Sequence, residues 1–179
     1  MLELNNTGLI VVDIQGKLAR LVHESNLLIS NCEKLVKGAK TLNLPIIVLE
    51  QNPEKLGSTV TELSCHLDEY PPITKFSFDA CQATEFINKI NNTKIENWLI
   101  CGIEAHICVY QTATSLIKAG LNVQLVIDCI ASRSLTNKNL AIEKLKNCGS
   151  EMTSLEMCLY ELVKNCRAKE FKEILNIIK

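Results

Sequence analysis

Cys108 stands six residues beyond Gly102, where the apolar run Trp98-Leu99-Ile100-Cys101-Gly102 breaks, and it falls at the start of a segment with helical periodicity. A helix N-terminus presents unpaired N–H groups and roughly half a positive charge, which favours a thiolate and can hold an oxyanion. One segment thus offers both a nucleophile and an oxyanion hole. Three further apolar runs end in carboxylates: Gly8-Leu9-Ile10-Val11-Val12-Asp13, Pro45-Ile46-Ile47-Val48-Leu49-Glu50 and Val123-Gln124-Leu125-Val126-Ile127-Asp128. If the runs are parallel strands, ligands bind beyond their carboxyl ends, so Asp13, Glu50, Cys108 and Asp128 share one rim. Lys75 lies in a long polar segment that can reach the same crevice. A carboxylate can take a thiol proton, and an ammonium stabilises thiolate and carboxylate together.

Other chemistries find less support. His106 lies two residues from Cys108 and projects to a different side of a helix, while His23 and His66 have no motif around them, so a Cys-His pair is not expected. There is no His-x-His or HExxH, and the seven glycines form neither GxGxxG nor a P-loop. No metal and no cofactor are expected. Asp128 reads as a structural carboxylate capping the following loop, and Arg133 as a loop salt-bridge partner. Gln15, Glu50 and Phe76 are candidate lining for a substrate pocket. Taken alone, Lys75 reads as a solvated surface charge.

The elements that must position these residues alternate. Helical periodicity spans about 24 to 43, 80 to 92 and 105 to 119, the last closed by Gly120 as a C′ residue. After Asp128 a loop from Cys129 to Leu135 leads into a helix over 137 to 147 with Thr136 as N-cap. A short strand near Gly149 to Thr153 follows. The tail from Ser154 reads as amphipathic helices interrupted around Asn165 to Ala168. Strand and helix in alternation imply right-handed parallel crossovers. The expected fold is α/β, a three-layer Rossmann-like arrangement with a mostly parallel twisted sheet of about six strands and helices on both faces. Gln51 to Ser77, punctuated by proline and glycine, reads as a functional loop without a firm element.

The 179 residues suit a single domain, 1–179. Net charge is −1 and aromatics are 4%, so neither a nucleic-acid nor a membrane partner is expected. No apolar run approaches the roughly 18 residues needed to cross a bilayer, and the N-terminus lacks a signal-peptide pattern; a cytoplasmic location is expected. Nine scattered cysteines without a CxxC pair argue against disulfides and zinc knuckles, and those other than Cys108 read as packing residues.

Taken together, the ordered segments resemble the isochorismatase-like cysteine hydrolases over nearly the whole chain. Leu9-Ile10-Val11-Val12-Asp13-Ile14-Gln15 is similar to the family's DxQ strand, and Ile73-Thr74-Lys75-Phe76-Ser77-Phe78 to its lysine segment. Gly102-Ile103-Glu104-Ala105-His106-Ile107-Cys108-Val109-Tyr110-Gln111-Thr112-Ala113 is similar to its cysteine helix, and Val126-Ile127-Asp128-Cys129-Ile130-Ala131-Ser132-Arg133-Ser134 to the strand and loop after it. Glu50-Gln51-Asn52-Pro53 and Gly-Ile-Glu-Ala-His look most like the isochorismatase-domain-containing branch. The resemblance implies that Cys108 is the nucleophile, Asp13 the general base and Lys75 the third triad member. It also implies a cis peptide between Ile103 and Glu104, which turns the Glu104 N–H toward the site beside that of Cys108. The implied reaction is hydrolysis of a small amide-like or ester substrate through a thioester, in a homo-oligomer. The family's nicotinamidases bind a metal with an aspartate and two histidines, and Leu49-Glu50-Gln51-Asn52-Pro53 has no histidine. The family's vinyl-ether-cleaving isochorismatases do not rely on the cysteine, so the intact Asp13, Lys75 and Cys108 point to a C–N or ester bond. A catalytically silent interaction protein and a ribonuclease-like activity are the alternatives.

Overall fold

A computed structural model describes residues 1–179. The strands are β1 (Thr7–Val12), β2 (Ile46–Gln51), β3 (Ile73–Lys75), β4 (Asn97–Gly102), β5 (Asn122–Ile130) and β6 (Glu151–Thr153). The helices are α1 (Leu18–Leu21), α2 (Ser25–Thr41), α3 (Pro53–Leu56), α4 (Thr61–Ser64), α5 (Thr84–Asn91), α6 (Tyr110–Lys118), α7 (Leu135–Asn147), α8 (Leu155–Val163) and α9 (Phe171–Ile178). The strands form one six-stranded sheet in the order β3-β2-β1-β4-β5-β6, and every pairing is parallel. Sheet order reverses direction between β1 and β4, which opens a crevice at their carboxyl ends.

Continuous apolar runs become central strands because both faces of a parallel sheet are covered. Every residue of β1 and β2 is buried. Leu9 and Val11 of β1 and Val48 of β2 pack on one face with α2, α8 and Ile174 of α9. Ile10, Val12, Ile47 and Leu49 pack on the other with Phe86 of α5, Ala113 of α6 and Leu145 of α7. This alternation matters for the site, since each strand's last residues inherit the face of the residue two before them.

The structure departs from the sequence reading at several joints. Gln51 to Ser77 contains α3, α4 and β3, so Lys75 sits on an edge strand and not in a loop. The segment 80 to 92 splits into a short 3-10 turn, Ala80–Gln82, and α5. The segment 105 to 119 splits into a π-helical turn, Ala105–Val109, and α6. The N-cap of α7 is Ser134, whose hydroxyl accepts from the Asn137 N–H at 3.2 Å, and not Thr136. Asp128 lies inside β5, and its Oδ1 accepts from the Leu155 N–H at 2.8 Å, so it caps α8 and not the following loop. Cys32, Cys101, Cys129 and Cys158 are buried as packing residues, but Cys65, Cys148 and Cys166 are exposed. Cys65 and Cys148 directly follow α4 and α7, and Cys166 lies between α8 and α9, where the chain turns over the surface.

Candidate active site

Asp13 is the first residue beyond β1. Simple alternation would send its side chain to the face of Val11, but its backbone is left-handed, with φ 51°. A non-glycine residue adopts that conformation at a cost, and such residues concentrate where function requires them. Here the turn carries the carboxylate to the other face, where Lys75 follows Ile73 by the two-residue repeat of β3. Lys75 Nζ donates to Asp13 Oδ2 at 2.7 Å, and the two side chains are 0% and 1% exposed.

Gln51 holds the lysine from the next strand. Its Oε1 accepts from Lys75 Nζ at 2.7 Å, while its Nε2 donates to the Phe76 carbonyl at 2.7 Å and so fixes the amide's orientation. Lys75 Nζ also lies 3.4 Å from the Ser77 carbonyl, which engages all three of the ammonium's donors. The segment after Lys75 is pinned to α6. Asp79 Oδ2 accepts from Ser115 Oγ at 2.7 Å, and the Ala80 N–H donates to Thr112 Oγ1 at 3.0 Å.

Cys108 arrives from β4 by way of Gly102. A Cβ on Gly102 would lie 2.0 Å from the Val12 carbonyl oxygen, and its φ is +120°, so only glycine allows the chain to pass so close to β1. The Ile103 N–H then donates to that same Val12 carbonyl at 2.9 Å. The Ile103–Glu104 peptide is cis. The Glu104 N–H finds no acceptor in the chain, whereas the next N–H, of Ala105, donates to the Ala131 carbonyl at 2.8 Å.

Cys108 is 7% exposed and neighbours the Asp13–Lys75 pair. Asp13 Oδ1 is buried and accepts no full hydrogen bond. Burial is the main influence on both groups. It raises the Asp13 pKa against the opposing pull of Lys75. The Cys108 thiol is pushed up to about 12 by burial and then by the Asp13 charge, with Lys75 acting against both. The sequence reading of a thiolate favoured by a helix N-terminus is therefore corrected: Cys108 sits within a buried π-helical turn, and at rest it keeps its proton.

The other expected residues go elsewhere. Gln15 is fully buried; its Oε1 accepts from the Gln51 N–H at 2.6 Å, and its Nε2 donates to the Gly57 carbonyl at 2.6 Å. It ties β1 to β2 and the turn beyond. Glu50 lies on the face of Val48, away from Lys75, and its Oε1 accepts from the Thr59 N–H at 2.6 Å and Oγ1 at 2.7 Å. Phe76 is 74% exposed at the rim. Arg133 Nε pairs with Glu104 Oε1 at 2.7 Å, a loop salt bridge. His106 turns away from Cys108, its Nδ1 2.9 Å from Ser132 Oγ. No three His, Cys, Asp or Glu side chains converge as a metal-binding group. Sequence reading missed Gln51, Thr112 and Ser115. The signal for Gln51 was present, since it follows Leu49 by two and must share its face.

A doubly wound, all-parallel α/β sheet with polar groups gathered at its switch point defines a three-layer Rossmann-like protein with a crevice site. The chain belongs to the isochorismatase family: the model of the isochorismatase domain matches residues 7–157. A secreted isochorismatase effector, Isc1, of Phytophthora sojae is 32% identical, over 98% of this chain and 85% of its own. The structure of a protein named MAR1 ribonuclease, from Caenorhabditis elegans, superposes with a TM-score of 0.94 at 33% identity, covering 99% of this chain and 91% of that one. YcaC of Escherichia coli, an octameric hydrolase of unknown specificity, shares the fold with a TM-score of 0.93 at 23% identity, covering 98% of this chain and 89% of that one.

Proposed function

We propose that this chain is a cysteine-dependent hydrolase of a small amide-like or ester substrate, with Asp13, Lys75 and Cys108 as its triad. The observation that carries the reading is the buried Asp13–Lys75 pair at 2.7 Å with Cys108 next to it, the second Asp13 oxygen having no hydrogen-bond partner. Cys108 Sγ attacks the substrate carbonyl while its proton passes to Asp13. The N–H groups of Glu104 and Cys108 hold the resulting oxyanion. As the tetrahedral species collapses, the C–N or C–O bond breaks, and Asp13 returns the proton to the leaving nitrogen or oxygen. Water then attacks the thioester, Asp13 takes its proton, and the carboxylic acid leaves as that proton restores the thiol. Lys75 keeps Asp13 ionised between steps and fixes its position.

A second activity belongs in the same assay, because a relative at 33% identity is named a ribonuclease. The triad's one cation is committed to Asp13 and Gln51, which leaves it no free charge for a phosphodiester, so we favour the carbonyl substrate. The test is a panel of small amides, esters and labelled RNA assayed with wild type, Cys108→Ala and Asp13→Asn. Turnover of a carbonyl substrate should fall in both variants by about a thousandfold or more in kcat/KM. A carbonyl activity that Cys108→Ala retains in full would overturn the cysteine mechanism, and a wild type that turns over no member of the panel would favour a catalytically silent interaction protein.

We further propose a homo-oligomer in the cytoplasm. The exposed Phe76 and Phe78 at the rim supply apolar surface for a second copy, and none of the nine cysteines is paired. No helix is long and apolar enough to cross a membrane.

A further inference from the structure

A cavity of about 230 Å³ lies on the far side of β2 from Lys75, walled by Val48, Glu50, Thr59, Leu67, Tyr70 and Pro72. Its chemistry is one-sided. Glu50 is 6% exposed and pairs with no basic side chain. Its Oε1 is occupied by the Thr59 N–H and Oγ1, at 2.6 and 2.7 Å, its Oε2 finds no donor in the chain, and the residue lines the cavity. The exposed Asp68 adds a second negative charge to the lining. Nearby cations are committed elsewhere: Lys40 Nζ donates to the His66 carbonyl at 2.8 Å, and Arg20 pairs with Glu62 at 2.6 Å. A carboxylate nine-tenths buried without a counter-charge is costly, so such groups are found paired or binding a ligand.

We propose that this cavity binds a small organic ammonium ion, a single cation on a compact apolar body, with Glu50 Oε2 as its counter-charge. Leu67, Val48 and Pro72 supply the apolar wall. A cavity of roughly 150 Å³ holds benzene, so this one has room for a ring and a short aminomethyl arm. The wall is preorganised, because the Val60 N–H donates to the Ile14 carbonyl at 2.9 Å and the Gly16 N–H to the Ser58 carbonyl at 3.1 Å. The proposal stands independently of the hydrolase reading, since Glu50 and Gln51 project to opposite faces of β2.

The probe is benzylammonium, with benzyl alcohol as its neutral isostere, titrated calorimetrically and by ligand-observed NMR into the full chain. Wild type should bind one benzylammonium saturably, and benzyl alcohol at least about tenfold more weakly. Glu50→Gln should weaken the ammonium by a similar factor, and Cys108→Ala should leave binding unchanged. Absence of saturable binding, equal affinity for the alcohol, or an affinity that Glu50→Gln does not alter would overturn the proposal, and dependence on Cys108 would assign the ion to the triad's crevice instead. If Glu50→Gln fails to fold, Ser64→Phe decides by filling the cavity with Glu50 intact: lost binding supports the site, and undiminished binding refutes it.

Discussion

Asp13, Lys75 and Cys108 lie together in a buried cluster where burial opposes the attraction of unlike charges. The ammonium is satisfied by Asp13, Gln51 and the Ser77 carbonyl, so removing it strands a buried carboxylate. Lys75→Met should cost about 3–5 kcal/mol in a urea titration, and a loss under 1 kcal/mol would mean that the pair contributes little. The raised Asp13 pKa has a definite sign. The folded state holds the proton above the ordinary value of 3.8, so this group's contribution to stability is full below 3.8 and is lost as pH rises through the folded value. The proposed mechanism needs the ionised form, so the acid limb of kcat/KM against pH should lie above 3.8 for the wild type, and a limb at or below it would show a solvated carboxylate. The identities of Asp13 and Cys108 were legible because apolar runs end beside them. Their ionisation was not, because the helix-terminus effect on a thiol is a local rule and the burial that outweighs it is a property of the assembled core.

The connecting elements place these residues, and the shortest ones hid most from sequence. β3 is only Ile73–Lys75, preceded by Pro71-Pro72, which is too brief for alternation to show; hence Lys75 read as a loop residue. Gln51 read as the start of a loop for the same reason, although it closes β2. The long runs of β1, β2, β4 and β5 were readable because a strand covered on both faces needs no polar residue. Gly102 carries the passage from β4 to the cysteine turn. Gly102→Ala should cost about 3 kcal/mol or more and disturb Cys108, since the Cβ meets backbone at 2.0 Å and the φ is +120°; a melting temperature within a degree of wild type would contradict that. Ser134→Ala should cost about 1 kcal/mol by uncapping α7, and Thr136→Ala much less.

Across the whole molecule the sheet order decides where chemistry is possible. Reversal between β1 and β4 opens one crevice, and the chain sends Asp13 into it from β1, Cys108 from beyond β4 and Lys75 from the edge strand β3. The match to the isochorismatase domain, residues 7–157, spans all three positions. The opposite face of β2 carries Glu50 and its cavity, so neighbouring residues of one strand serve two separate places. The central claim is that Asp13 activates a resting thiol at Cys108. It is tested most directly by iodoacetamide labelling from pH 5 to 8, with each cysteine followed by peptide mass spectrometry in wild type and Asp13→Asn. Cys108 should react faster than the exposed Cys65, Cys148 and Cys166 despite its burial, and Asp13→Asn should slow it about tenfold or more while leaving those three unchanged. A Cys108 that reacts no faster than the exposed thiols, or that ignores the loss of the Asp13 carboxylate, would contradict the triad.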